Sequence, residues 1–224
     1  MSVKVYIETG KKRVIASAAD WPGWCRIGVD EPAALQALVD YGPRYARVLR
    51  PAGIEFKAPA GRPAFDVTER LAGNTTTDFG VPGIIADAER EAVSPAEHER
   101  FRRLLLACWQ AFAVAADSAA GKALRKGPRG GGRETAQIVQ HVLEAERAYL
   151  GRLGWKLKSE GEPDQADALR EIQPEALRAL EASVKGELPW QGPRGGVIWP
   201  ARYYLRRSAW HILDHAWEIE DRLE

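Results

Sequence analysis

The stretch that most restricts the fold opens at Ser94-Pro95-Ala96-Glu97. A Ser N-cap, a proline at the first helical position and a Glu three residues after the cap together form a capping box, so a helix begins here. From Phe101 to Ala116 apolar residues surround most of that helix. A helix that is apolar on most sides must be covered by several neighbours, which demands a bundle. The most apolar part, Leu104 to Ala116, is broken by Gln110 and is too short to cross a bilayer, so no membrane partner is expected.

The remaining helices follow from the same periodicity. One is expected over about Glu134 to Leu153, with Ile138, Val142, Ala145 and Tyr149 on one side. Pro174 reads as the start of another, running to about Lys185 on a Leu177, Leu180 and Val184 stripe. A loop rich in Gly, Pro and Trp, from Trp190 to Trp199, leads into the last, Ala201 to Leu223. Residues 94–224 thus form an expected four-helix bundle. Gly127 to Gly132 lacks the ending of a phosphate-binding loop and follows no strand, so it reads as a flexible connection.

The N-terminal third has a different period. Val3 to Glu8 alternates as a strand, and Arg13 to Ser17 reads as its hairpin partner. Asp20-Trp21-Pro22-Gly23-Trp24 is turn chemistry. Asp30 is a candidate N-cap for a helix to about Arg50, which Gly42-Pro43 is expected to kink or interrupt. Ile54-Glu55-Phe56 and Phe65-Asp66-Val67 read as further strands. The expected fold class is therefore α+β with two domains: a small ββαβ unit over residues 1–70, a linker over 71–93, and the bundle. Phe79 and Ile84-Ile85 are too apolar for a free tether, so the linker is expected to dock. The hairpin, the Asp20-Trp21-Pro22-Gly23 turn and the Asp30-Glu31 helix start resemble the HicB-like antitoxin fold. That resemblance implies a protein partner for residues 1–70, while no DNA-binding module follows them.

Charge narrows the function classes. With 32 basic and 31 acidic residues the net charge is +1, which leaves no cationic excess for a phosphate backbone, and no nucleic acid is expected. Two cysteines, Cys25 and Cys108, make no disulfide framework, and the opening residues lack a signal-peptide profile. A soluble, cytoplasmic protein is the expectation.

The candidate chemistry lies in histidine. Only four are present, and His211 and His215 stand four apart on the last helix, on one face, where both can reach one metal ion. His98 falls in the polar first turn of its helix and is read as a solvated surface residue outside the site. His141 sits beside the inward stripe of its helix and supplies a third ligand, the count of a catalytic site with an open position. Asp214, Glu218 and Glu144 are candidate acceptors that could orient the rings. A bundle with one His on its second helix and HxxxH on its last resembles the DinB/YfiT-like superfamily, over about Ser94 to Glu224. The resemblance places the ligand triad on His141, His211 and His215. It implies a divalent metal, zinc or nickel, and a low-molecular-weight thiol serving a transferase or isomerase reaction on a small-molecule substrate. No catalytic side chain is assigned. In that reading the thiol attacks an electrophile held against the Trp190–Trp199 loop, with Tyr203 or Tyr204 donating a hydrogen bond and Arg202, Arg206 or Arg207 binding a carboxylate. A homodimer is also expected, because helices with wide apolar faces often pair. The competing reading is a non-catalytic binding module in which the metal is structural or absent and residues 1–70 recognise a protein.

Overall fold

The structure, a computed structural model, describes residues 2–126, 132–157, 165–192 and 195–223, with the side chains of 165–167 left aside. The expected connection at Gly127 to Gly132 lies almost wholly outside these residues, as does Gly161-Glu162-Pro163. The chain is an α+β protein: a four-stranded sheet at the N-terminal end, then helices.

Strands β1 (Val3–Thr9) and β2 (Val14–Ala18) form the expected antiparallel hairpin, with Thr9 opposite Val14. The Asp20–Trp24 turn leads to β3 (Cys25–Gly28), a strand the sequence reading missed because it is four residues long. Helix α1 (Glu31–Leu49) begins where expected, the Asp30 carboxylate accepting the Ala33 amide at 2.8 Å. It then crosses back to β4 (Phe65–Ala72), which pairs parallel to β1 and gives the order β3-β2-β1-β4. A parallel pair needs such a long crossover.

Two expectations fail here or further along, each through packing, and the interruption allowed for in α1 is not found. Helix α1 runs through Gly42-Pro43 without a break. Leu38 before the proline and Tyr45 after it are both fully buried in one core, which holds the helix together across a missing donor. Ile54-Glu55-Phe56 is not a strand. Phe56 instead wedges among Trp21, Trp24 and Tyr45, with ring centroids 4.7, 4.9 and 5.1 Å away. Pro174 does not begin its helix but lies inside it. Ala168, Ile172, Ala176, Ala179 and Leu180 carry a buried stripe across that exposed proline.

The 71–93 segment docks closely. It contains the short helix α2 (Thr75–Asp78) and a single 3-10 turn at Asp87–Arg90. Phe79 takes no part, being 77 % exposed, whereas Ile84 and Ile85 are partly buried and Val81 packs beside Ile15 and Trp210, and polar contacts add to this apolar tie. Side chains alternate faces along β1, so Val5 and Ile7 join the α1 core while Tyr6 and Glu8 face the docked segment. Buried Glu8 accepts from the Thr77 hydroxyl and from the amides of Gly83 and Ile84 at 3.2 and 3.1 Å.

Four long helices complete the molecule: α3 (Pro95–Ser118), α4 (Thr135–Leu153), α5 (Gln165–Val184) and α6 (Ala201–Arg222). The Ser94 box forms, its hydroxyl accepting the Glu97 amide at 3.3 Å. Fourteen of the 22 residues of α6 are buried, so this helix is the central element on which sheet and bundle both pack. Gly23 shows how close that packing is. Its φ of 92° suits only glycine, and a β-carbon there would stand 3.1 Å from Ala209 and Leu213 of α6. Among the described residues no helix is long and apolar enough to cross a membrane.

Candidate metal centre

Helix α6 presents His211 and His215 one turn apart, and α4 packs beside it, with Ile138 and Val142, both fully buried, flanking His141. The three rings converge. Their centroids are 5.0 Å (141 to 211), 4.9 Å (141 to 215) and 4.6 Å (211 to 215) apart. One ligand nitrogen from each lies within 4.8 Å of the others, and among the described residues this is the one cluster of its kind. The Nε2 atoms of His141 and His211 are 3.2 Å apart. Two nitrogens bound at about 2.0–2.1 Å to a tetrahedral ion stand about 3.3 Å apart, so the spacing fits shared coordination.

The environments of His141 and His211 favour the neutral form that offers a lone pair. Burial, reinforced by His215 and His141, pushes the His211 pKa down to about 2. Burial and His215 also lower that of His141. His211 is 7 % exposed and its Nδ1 is buried without a protein partner. His215 is oriented from behind: its Nδ1 meets the Glu218 carboxylate at 2.7 Å. Glu218 in turn accepts from Arg222 at 2.8 Å, and the His215 bond, with Arg222 behind it, holds its pKa below the usual carboxylate range. An ionised carboxylate can only accept, so His215 donates from Nδ1, and Nε2 is the nitrogen left to ligate an ion.

The other candidates are placed elsewhere. Asp214 pairs with Arg26 at 3.1 Å and Glu144 accepts from Gln140 at 2.9 Å, so of the three acids only Glu218 bonds a candidate ligand. His98 is partly buried, not solvated, because α5 packs against the start of α3, and it lies outside the cluster. The arginines expected to hold a substrate carboxylate are already engaged. Arg202 bonds Glu97 and the Ala92 carbonyl, both at 2.8 Å, and Arg206 is sealed on Glu89. Arg207 donates to the Pro82 carbonyl and the Tyr149 hydroxyl. Tyr203 donates to the Gly83 carbonyl, and the Tyr204 hydroxyl is buried without a hydrogen bond.

Of the Trp190–Trp199 loop, Trp190 is 87 % exposed, while the Trp199 ring lies tilted against Tyr149 with centroids 5.2 Å apart; residues 193–194 lie outside the described residues. Tyr149, 5.7 Å from the His211 ring, is the neighbour that sequence reasoning missed. Its position eight residues after His141, about two turns along the same face, was the available signal. Both cysteines are buried with thiol pKa values raised chiefly by burial, so neither supplies a thiolate at neutral pH. Comparison with protein-family models, with curated proteins and with solved structures finds no match.

Proposed function

We propose that His141, His211 and His215 bind one divalent metal ion, zinc or nickel, and that this centre is the catalytic one of an enzyme resembling the DinB-like superfamily. The observation that carries the reading is the convergence of three ring nitrogens from two helices, one pair at 3.2 Å, with His215 steered by Glu218. Three imidazoles are the ligand count of a catalytic site with a vacant position. Borderline nitrogen ligands suit zinc and nickel alike. A bound ion would supply Lewis acidity and lower the pKa of a thiol or water that ligates it.

The chain's own residues do the rest. Glu218 fixes one ring by its hydrogen bond, Arg222 holds Glu218, and the partly exposed rings of His141 and His215 leave a way in from solvent. Tyr149 and Trp199 form an aromatic wall beside His211, on which an apolar part of a substrate can rest. The reaction class in this reading is thiol transfer or thiol-assisted isomerisation, with a low-molecular-weight thiol as co-substrate and a small electrophile as substrate. Residues 1–70 are proposed as a HicB-like unit, on the hairpin, the Asp20–Gly23 turn and the Asp30 helix start.

Elemental analysis of untagged protein tests the centre. About one equivalent of metal is expected in the wild type and a small fraction of that in His215→Ala. A wild type that stays metal-free after incubation with zinc and with nickel would remove the basis of the proposal. If metal is bound, turnover of electrophiles with glutathione, mycothiol or bacillithiol tests the catalytic half separately.

A further inference from the structure

A cavity of about 680 Å³ lies away from the histidines. It lies between α1 and α3 and reaches Trp217 and Glu220 of α6. On a helix turning about 100° per residue, those positions fall roughly 180–240° around from His211, so the groove opens on the other side of α6. Its floor is apolar: Val48 from α1, Leu106, Ala107 and Ala111 from α3, and the Trp217 ring. Helix α3 is therefore not covered on every side, and Val114 at the mouth stays 53 % exposed.

The rim is cationic. Arg44, Arg47 and Arg103 line it with a single carboxylate, Glu220. That acid is already held by Arg44 at 2.6 Å, and Asp221 grips the same guanidinium at 2.8 Å, so Arg44 is neutralised within the protein. Arg103 donates to the carbonyls of Ala52 and Gly53 at 2.6 and 3.1 Å, which orient it without cancelling its charge. Arg47 is exposed, and among the described residues it has no hydrogen bond or ion pair. One guanidinium on α1 and one on α3 thus line an apolar groove, neither paired with a carboxylate among the described residues.

We propose that this groove binds a small amphipathic carboxylate, a molecule with one apolar body and a headgroup that pairs with Arg47 and Arg103. An apolar cavity of this size with a few convergent polar groups is the usual form of a small-molecule site. Planar guanidinium matches carboxylate geometry. A second copy of the chain fits less well, because two-fold pairing of this face sets arginine against arginine.

Calorimetric titration of the full chain with decanoate, decanol and acetate tests the assignment. Decanoate should saturate one site in the micromolar range, with decanol and acetate each weaker by about tenfold or more. Arg47→Glu should weaken decanoate by about tenfold or more at low salt, and Ala111→Trp, which fills the floor, should abolish binding. His215→Ala should bind decanoate as the wild type does, which separates this site from the metal centre. No saturable decanoate binding to 1 mM, on the order of the weakest specific affinities, overturns the proposal. So does equal binding of decanol together with an unaffected Arg47→Glu. Sedimentation showing a dimer that Ala111→Trp dissociates, with no decanoate binding, would assign the groove to self-association instead.

Discussion

Glu146 of α4 is a fully buried carboxyl, and neither of its oxygens has a hydrogen-bond partner. The hydroxyls of Ser208 and Tyr204 lie close enough to favour its ionised form, yet neither meets hydrogen-bond geometry. Burial prevails and raises the pKa to about 7. An acid with a raised folded pKa is stable in its neutral form, so that stability is complete below the unfolded pKa and is lost as pH rises through the folded one. The fold should weaken by on the order of 3 kcal/mol between pH about 4.5 and 7.5 from this group alone. Glu146→Gln should flatten that slope and be the more stable protein at pH 8, as urea titrations at pH 5 and pH 8 would show; an unchanged slope would count against the burial argument. At the candidate centre, Glu218→Gln should cost about 10–100-fold in metal affinity while leaving the fold intact, read by competition with a chromophoric chelator. The HxxxH pair was legible from the sequence because four residues make about one helical turn. Which acid would orient it was not, because Asp214 and Glu218 are equally close in sequence and only the packing sends Asp214 to Arg26.

Among the elements, α6 organises the rest, and its strongest polar tie is the Arg206–Glu89 pair. Arg206 bonds both Glu89 oxygens, at 2.6 and 3.0 Å, and the carbonyls of Pro82 and Ile84, at 3.0 and 2.8 Å. Side-chain exposure is 2 % and 8 %. Removing one partner of such a pair leaves a buried charge uncompensated, so Arg206→Met should destabilise by about 3–5 kcal/mol in urea unfolding. Adding Glu89→Gln should recover part of the loss, because a neutral amide is cheaper to bury. The docking of the 71–93 segment was anticipated from its apolar residues, but its polar contacts were invisible, since Arg206 and Glu89 are 117 residues apart. Elements marked by caps were readable, as α1 and α3 show. Pro174 misled at α5, where a long buried stripe outweighs one lost donor, while Pro43 does not interrupt α1.

In the molecule as a whole, one hydrophobic cluster joins Val5, Trp24 and Leu38 of the N-terminal layer to Leu104, Phe112 and Leu213 of the helices. A shared core predicts one cooperative thermal transition, with far- and near-ultraviolet circular dichroism melting together. Two separated transitions would mean that the sheet and the bundle unfold independently. If the centre holds a metal, a chelator should lower that single midpoint in the wild type and leave His215→Ala unmoved.

Hydrophobic period, caps and turn residues are local properties, and they marked the hairpin, α1 and the four long helices, though not where α5 begins. They also placed two imidazoles on one face of α6, because helical geometry repeats within a few residues. The third imidazole, the docked segment and the arginine-rimmed groove each depend on contacts between distant parts of the chain. Such contacts exist only once α4, α6 and the sheet have closed on a common core, where burial decides which charges pair and which nitrogens are left facing one another.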